Sequence, residues 1–234
     1  MAIKTKGLGL RVWRFLKRLF IFLFIFHLFY ILILKWVNPP VTLTQFASWI
    51  TGDGLKRDYV SYTDMSNYAK IAVIASEDQL FPEHNGFDWK SIEKAMEHNE
   101  KNPKKIRGAS TISQQVAKNV FLWQGRSWLR KAFETYFTFM IEIVWGKKRI
   151  LEMYLNISEM GTGIFGIEAA ARAYFKKPAS RLTRSESAMI AAGLRNPKKY
   201  TVKPLSKFVA SRYPWILKQM NNLQNDQEMQ RLLQ

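Results

Sequence analysis

The sequence contains no cysteine among its 234 residues. Without a thiol, the chain cannot form a disulfide framework, a cysteine-ligated zinc site, an iron–sulfur cluster or a cysteine-nucleophile active site. The absence does not decide the redox compartment, because a cysteine-free chain suits oxidising and reducing surroundings equally. At this length, one domain with a short appendage is the expected organisation.

Acidic residues are also scarce, with 18 Asp and Glu against 36 Lys and Arg, which gives a net charge of +18. Such an excess predicts a polyanionic partner: nucleic acid, an anionic membrane surface or a phosphorylated substrate. The first 35 residues hold seven of the basic residues and no acidic one, so the rest of the chain carries 29 basic against 18 acidic residues, or +11. Charge alone does not choose among these partners.

Residues 19–34 form an uncharged stretch of 16 residues, rich in Phe, Leu and Ile. As a helix it reaches about 24 Å, and Trp36 and Val37 extend it towards the roughly 30 Å of a hydrocarbon core. We therefore predict a transmembrane helix over residues 19–37, preceded by a basic cytoplasmic segment over residues 1–18. A cleaved signal peptide is disfavoured because Lys-Trp-Val-Asn-Pro-Pro, and not a small-residue cleavage site, follows the apolar run.

Basic residues flank this span unequally, with six before it and only Lys35 just after it. The positive-inside rule then places the N-terminus in the cytoplasm and everything after the span outside. We therefore expect a single-pass protein of the cytoplasmic (inner) membrane with a periplasmic domain.

Beyond the span, periodicity predicts a connector over residues 38–64 with one amphipathic patch at residues 43–50, and then a mainly α-helical domain over residues 65–234. No alternating run is long enough to predict a sheet. The tail after Gln219 is rich in Gln and Asn and is typical of surface helix or disorder. Helices are predicted at residues 68–76, 91–99, 110–120, 128–145, 150–157, 167–175 and 185–194.

A pair of carboxylates, Glu77 and Asp78, ends the first of these helices. The negative end of a helix dipole raises the basicity of a carboxylate, which suits proton abstraction. A solvated helix end would show the same residues, and this window alone favours that interpretation.

A second cluster lies at residues 108–115, where a glycine and hydroxyl residues precede a helix that continues to Lys118 and Asn119. Free N–H groups at a helix N-terminus bind anions, so the segment is a candidate phosphate site. An ordinary capped helix after a basic loop explains the window equally well.

A third cluster is Arg130-Lys131-Ala-Phe-Glu134, in which helical spacing brings both cations to the carboxylate. Cations favour the ionised form, so Glu134 is a poor proton donor and is better suited to handling a charged substrate. A surface ion pair is the simpler alternative. The apolar residues of 121–145 argue against it, since they indicate either core or lipid contact, and we expect core for most of them.

Five ordered motifs over residues 68–200 resemble the monofunctional peptidoglycan transglycosylases, relatives of the glycosyltransferase module of class A penicillin-binding proteins. No single motif is specific, but five in order are. They are Glu77-Asp78-x-x-Phe81-x-x-His84-x-Gly86, Gly108-x-Ser110-Thr111-Ile112-x-Gln114-Gln115, Arg130-Lys131-x-x-Glu134, Lys147-x-x-Ile150-Leu151-Glu152-x-Tyr154-Leu155-Asn156 and Gly163-x-x-Gly166-Ile167-x-x-Ala170-Ala171-x-x-Tyr174-Phe175.

This resemblance implies a lysozyme-like, mainly α-helical domain with a membrane-facing hydrophobic region, which polymerises lipid II with inversion and releases undecaprenyl pyrophosphate. Glu77 would be the general base and Glu134 the second catalytic carboxylate. The substrate would be bound by Asp78, Ser110, Thr111, Gln114, Gln115, Lys118, Asn119, Arg130 and Lys131. The site would be braced by Phe81, His84, Gly86, Glu152 and Asn156.

The expected partners are lipid II, the growing lipid-linked strand and the bilayer, together with penicillin-binding and cell-division proteins, but not nucleic acid. No cofactor is required by this chemistry and no resident metal site is expected, although Mg²⁺ or Mn²⁺ could assist at the pyrophosphate. Transpeptidase activity is not predicted, because no Ser-Asp-Asn or Lys-Thr-Gly motif follows Ser91-x-x-Lys94. Two alternatives stay open: a lysozyme-like lytic enzyme, and a non-enzymatic, membrane-anchored basic scaffold.

Overall fold

A computed structural model describes residues 5–103, 105–125 and 127–234, with side chains from residue 9 onward. The chain divides into two compact units, one ending at Asn38 and one from Pro39 to Gln234. Eleven α-helices and three short strands lie in the described ranges, and the mainly α-helical prediction is confirmed. The helices are α1 (Thr5–Ile33), α2 (Leu43–Ile50), α3 (Asn67–Glu77), α4 (Trp89–Lys101), α5 (Ile112–Phe121), α6 (Trp128–Val144), α7 (Gly146–Ile157), α8 (Ile167–Phe175), α9 (Arg184–Gly193), α10 (Lys207–Leu223) and α11 (Gln227–Leu233).

The first unit is essentially α1, a 29-residue helix. Its part from Gly9 to Ile33 has a mean hydropathy of 2.1, and by length and composition it could cross a membrane. The helix ends at Ile33, before Val37 where we had placed the end of the span, and residues 34–36 form a turn. The apolar residues Trp36 and Val37 therefore follow the helix. The helix begins earlier than the predicted span, at Thr5, so it is still long enough to cross a membrane.

The second unit contains two groups of packed helices. In one, α3 packs against α9 and α10, and in the other α5 packs against α6 and α7. Helix α7 is the most enclosed, since every residue from Met153 to Ile157 is buried. It follows that the C-terminal end of α3 and one face of α5 can meet between the two groups.

A three-stranded sheet lies beside these helices and was not predicted. Its strands are β1 (Lys56–Arg57), β2 (Glu159–Gly161) and β3 (Ile164–Phe165), in the order β1–β3–β2. β1 is parallel to β3, and β2 is antiparallel to it with an irregular register. Strands of two or three residues are too short to show alternation, so sequence periodicity could not reveal them.

Two further differences concern α6 and α10. Of the α6 residues only Glu134, Thr138 and Ile141 are buried, whereas Trp128 and Phe139 are exposed. Our expectation that most apolar residues of 121–145 are core was therefore wrong. Two of the three buried α6 residues, Glu134 and Thr138, are polar, while most of the apolar side chains lie on the exposed side of the helix. Helix α10 was missed because it contains a proline, a residue that normally interrupts a helix.

Candidate active site

The site is organised around Glu77, the last residue of the apolar helix α3. Its carboxylate is half-buried and accepts hydrogen bonds from Ser76 Oγ at 3.1 Å and from Gln115 Nε2 at 3.2 Å. Burial raises the pKa of Glu77, while these two bonds and the charge of Arg212 on α10 act in the opposite direction. A desolvated carboxylate with few donors is a stronger base than one in water.

Gln115 is itself oriented by Tyr154 of α7. The Tyr154 hydroxyl donates to Gln115 Oε1 at 3.3 Å, so that the amide N–H of the same side chain points to Glu77. Tyr154 is 1% exposed, and burial raises the pKa of its hydroxyl, which therefore remains a donor. The sequence analysis placed Tyr154 inside a motif but gave it no role, because spacing shows nothing about which side chains meet.

Glu134, the second carboxylate, is 3% exposed on α6. Arg130 Nη1 lies 2.6 Å from its Oε2, and Lys131 Nζ lies 2.5 Å from its Oε1. The ion pairs expected from the spacing therefore form, and both lie on a buried carboxylate. Removing one partner of a buried ion pair destabilises a protein more than removing one partner of a surface pair, since it leaves an uncompensated buried charge.

Lys118 of α5 connects the two carboxylates electrostatically. Burial lowers the pKa of Lys118, the negative charge of Glu134 opposes this shift, and Arg130 and Lys131 add to it. Glu77 also acts on Lys118 and raises its pKa. The half-buried Lys118 ammonium group thus lies within the fields of both carboxylates.

A cavity of about 450 Å³ adjoins this cluster. Gln115, Lys118 and Asn119 line it from α5, and Tyr154 lines it from α7. The other residues that line the cavity were not identified from the sequence, because they come from segments distant along the chain. They are Thr44, Ala47, Ser48 and Thr51 at α2, Gln124, Ser158 and Glu159, and Leu194, Pro197 and Lys198.

Asp78 does not line this cavity, and its carboxylate oxygens are engaged by hydrogen bonds to other parts of the domain. Its oxygens contact His84 Nε2 at 3.0 and 3.1 Å, and Oδ2 accepts the Ile112 N–H at 2.9 Å. His84 Nδ1 accepts the Gly86 N–H at 3.2 Å, so Nε2 carries the proton that is donated to Asp78. These are the contacts of a bracing residue, although the sequence analysis grouped Asp78 with the substrate-binding residues.

Most of the N–H groups at the start of α5 are hydrogen-bonded within the protein. Thr111 caps the helix by accepting the Gln114 N–H, and Gln114 Oε1 in return accepts the Thr111 N–H. The Ile112 N–H is taken by Asp78. The capped helix of the simpler alternative is therefore present, and the N–H groups of Thr111, Ile112 and Gln114 have partners within the protein.

The remaining predicted residues occupy different surroundings. Thr111 Oγ1 also donates to the Gly86 carbonyl at 2.7 Å, which ties the loop after α3 to α5, whereas Ser110 is exposed. Phe81 is fully buried beneath the Lys147 ammonium group, which lies 4.6 Å from its ring centroid. These contacts hold the loop that follows Glu77 against the rest of the domain.

Glu152 and Asn156 of α7 hold the connector that precedes α3. Glu152 Oε1 accepts the Tyr62 N–H at 3.0 Å and its Oε2 pairs with Arg149 at 2.8 Å. Asn156 is fully buried and bonds both backbone groups of Val60, at 3.0 and 2.9 Å. Neither side chain lines the cavity, and both act as braces.

Within residues 5–103, 105–125 and 127–234, no three His, Asp or Glu side chains lie close enough together to hold a metal ion. The cationic side chains around Glu134 are the groups that can neutralise an anion here.

A half-buried carboxylate bonded to a residue that lines a cavity, with a second carboxylate among cations, is an arrangement that suits an enzyme of group transfer. Comparison with known proteins identifies the reaction family. The family model described as "Transglycosylase" matches residues 44–221, about three quarters of the chain. The chain therefore belongs to the transglycosylase family, and its mainly α-helical domain fits the lysozyme-like fold of that family.

Three curated relatives show how close the similarity is, and each is named a biosynthetic peptidoglycan transglycosylase. The relative from Shigella boydii serotype 4 (strain Sb227) is 51% identical over 224 residues, covering 93% of both chains. The relative from Escherichia coli (strain K12 / DH10B) is 56% identical over 189 residues, covering 80% of this chain and 78% of its own. The relative from Salmonella schwarzengrund (strain CVM19633) is 55% identical over 190 residues with the same coverage.

Proposed function

We propose that this transglycosylase is a membrane-anchored peptidoglycan glycosyltransferase that polymerises lipid II into β-1,4-linked glycan strands. Family membership and the names of the relatives support glycan-strand synthesis for the cell wall. The observation that carries the catalytic part of the proposal is the half-buried Glu77 carboxylate, whose pKa is raised by burial and whose hydrogen-bond donor Gln115 lines the cavity.

In this mechanism Glu77 takes the proton from the 4-hydroxyl of the acceptor sugar as that oxygen attacks the anomeric carbon of the donor. The bond from the anomeric carbon to the pyrophosphate oxygen breaks, and undecaprenyl pyrophosphate leaves with the electron pair. Attack from the face opposite the leaving group converts an α-linked pyrophosphate into a β-glycoside. A general base of this kind contributes about 10²–10⁴-fold in rate.

The cationic cluster suits a pyrophosphate leaving group. A pyrophosphate departs as a stable anion, so it needs positive charge more than it needs a proton. Lys118, Arg130 and Lys131 supply that charge, and Glu134 keeps the two outer cations in place through its ion pairs. We propose that these side chains do this work without a resident cofactor.

A lytic enzyme on the same fold would need the opposite arrangement. To cleave a sugar–sugar bond, one carboxyl group must be protonated so that it can donate to the leaving sugar oxygen. Glu134 is poorly placed for this, because its two carboxylate oxygens are already engaged by Arg130 at 2.6 Å and by Lys131 at 2.5 Å. The bonding around Glu134 therefore favours transfer over hydrolysis.

Anchoring and orientation belong to the same proposal. Helix α1 is compatible with a single membrane span. The basic residues before it would keep the N-terminus in the cytoplasm, so that the catalytic domain lies on the periplasmic side, where penicillin-binding and cell-division proteins would be its protein partners.

The test is to incubate the detergent-solubilised full chain with labelled lipid II and to separate the products by size. We expect polymer that lysozyme digests, with undecaprenyl pyrophosphate released in step with polymerisation. A chain that shortens preformed glycan and leaves lipid II unused would instead be a lytic enzyme. A chain that does neither would support the scaffold alternative.

A further inference from the structure

Helix α2 has an unusual distribution of side chains for a helix at the surface of a folded domain. Its buried residues are polar, with Gln45 fully buried and Ser48 only 5% exposed. Its large apolar residues are instead exposed: Leu43 by 49%, Phe46 by 45%, Trp49 by 62% and Ile50 by 65%. A helix that turns apolar residues outward needs an apolar partner on that side.

The polar side of α2 is firmly attached to the domain, so its orientation is fixed. Ser48 Oγ donates to the Gly54 carbonyl at 2.9 Å, and Gln45 Oε1 accepts from the Tyr59 hydroxyl at 3.3 Å. Thr44 Oγ1 accepts from Gln124 Nε2 at 2.7 Å. Rotating α2 to bury its apolar side would break all three bonds.

The chain itself indicates what covers the apolar side. Residues 34–42 are all that separate the end of α1 from the start of α2. Such a linker spans at most about 35 Å even when fully extended. Because α1 could cross a membrane, α2 begins close to the point where that span would leave the hydrocarbon.

Charge beside α2 matches the same partner. Lys56 and Arg57 form the exposed strand β1, and the Arg57 guanidinium group lies 5.3 Å from the ring centroid of Tyr59. Tyr59 in turn bonds Gln45 of α2. Cations next to an exposed apolar helix face are the pattern of an element that lies in the surface of an anionic bilayer.

We propose that α2 is an interfacial helix, whose apolar residues Leu43, Phe46, Trp49 and Ile50 insert into an anionic bilayer surface while Thr44 and Thr51 line the cavity. One short helix then forms both a membrane contact and a wall of the active-site cavity. Its depth in the bilayer sets the height of the cavity above the lipid. The resemblance implies a membrane-facing hydrophobic region without assigning it to α2, and the proposal stands whether or not the chain polymerises lipid II.

The absence of cysteine makes a direct test straightforward, because each introduced cysteine is the only label site. We would place a nitroxide at Trp49→Cys and at Ile50→Cys in the full chain, reconstituted in vesicles that contain phosphatidylglycerol. The matched controls are Thr51→Cys, a cavity-lining residue at the C-terminal end of α2, and Leu205→Cys, an exposed apolar residue distant along the chain. Unchanged thermal unfolding would show that the labelled proteins are folded.

Collision with oxygen, which concentrates in lipid, is then compared with collision with a water-soluble nickel chelate. We expect the labels at residues 49 and 50 to favour oxygen, at a depth of about 5–10 Å, and the labels at residues 51 and 205 to favour nickel. Labels at 49 and 50 that are as accessible to nickel as residue 205 would overturn the proposal. Spin–spin broadening at residue 49 that disappears on dilution with unlabelled protein would also overturn it, since a second copy would then cover α2.

The anionic lipid is tested by repeating the measurement in vesicles of phosphatidylcholine alone. We expect a shallower position for both labels, because the phosphatidylcholine headgroup has no net charge and attracts Lys56 and Arg57 less than an anionic headgroup does. An unchanged depth would contradict the charge part of the proposal.

Discussion

The hydrogen bond from Gln115 to Glu77 leads to a prediction that distinguishes two roles for Gln115. Gln115 either binds the substrate or sets the pKa of Glu77. The sequence analysis placed Gln115 among the substrate-binding residues, whereas the structure directs its amide N–H to Glu77 Oε2 at 3.2 Å. A hydrogen bond to a carboxylate stabilises the ionised form and lowers its pKa. We therefore expect Gln115→Met, which removes the donor and keeps the length, to raise the pKa of Glu77.

The size of the shift follows from the geometry. A hydrogen bond to a charged group contributes about 1.5–3 kcal/mol, and at 3.2 Å this bond belongs at the lower end. One pKa unit corresponds to about 1.4 kcal/mol, so the expected rise is about one unit. Because the base must be ionised to accept a proton, activity is lost as pH falls through the pKa of Glu77.

The assay is the pH dependence of kcat/KM for lipid II polymerisation. In Gln115→Met the acid limb of the profile should move to higher pH by about one unit, with activity restored at high pH. Tyr154→Phe should move the limb in the same direction by less, since it frees the Gln115 amide without removing it. The control is Gln124→Met, which alters the same cavity but not Glu77 and should leave the limb in place. A uniform fall of kcat/KM at every pH in Gln115→Met would refute this reasoning and support substrate binding.

Three further predictions concern charge and scaffold. Lys118→Met should lower kcat/KM by about 10²–10³-fold, measured at fixed ionic strength, because the half-buried cation near both carboxylates is lost; a change below threefold would argue against its role. Gly86→Ala should destabilise the fold by about 1–3 kcal/mol in urea unfolding, since φ is +88° and the added Cβ would lie 2.8 Å from Thr138 Cγ2; unchanged stability would mean that the loop relaxes freely. Asn156→Ala should lower the free energy of unfolding by about 2–3 kcal/mol, because it removes both bonds to Val60. A loss of kcat in Asn156→Ala protein that is verified as folded would instead show a direct catalytic role.

The sequence predicted most helices well because their signals are local. α8 was predicted with its exact bounds, and α9 begins within one residue of the predicted start. The amphipathic patch at residues 43–50 is α2. Apolar periodicity and capping residues are properties of neighbouring positions, so a single sequence contains them.

The site could be predicted only in part, because its remaining features depend on contacts between distant segments. The Arg130–Lys131–Glu134 cluster lies within one helix and followed from spacing. The contact of Asp78 with the Ile112 N–H at the start of α5 joins residues 34 positions apart, so spacing could not predict it. The cavity wall from α2 and the position of Arg212 likewise depend on tertiary packing, of which spacing gives no sign.

The central claim is that Glu77 is the base that activates the acceptor hydroxyl. The most direct measurement is the steady-state rate of lipid II polymerisation by Glu77→Gln, a variant that keeps the shape of the side chain but cannot accept the proton. We predict a loss of at least about 100-fold in kcat, with lipid II binding retained. Polymer formed by Glu77→Gln at the rate of the unchanged protein would contradict the account.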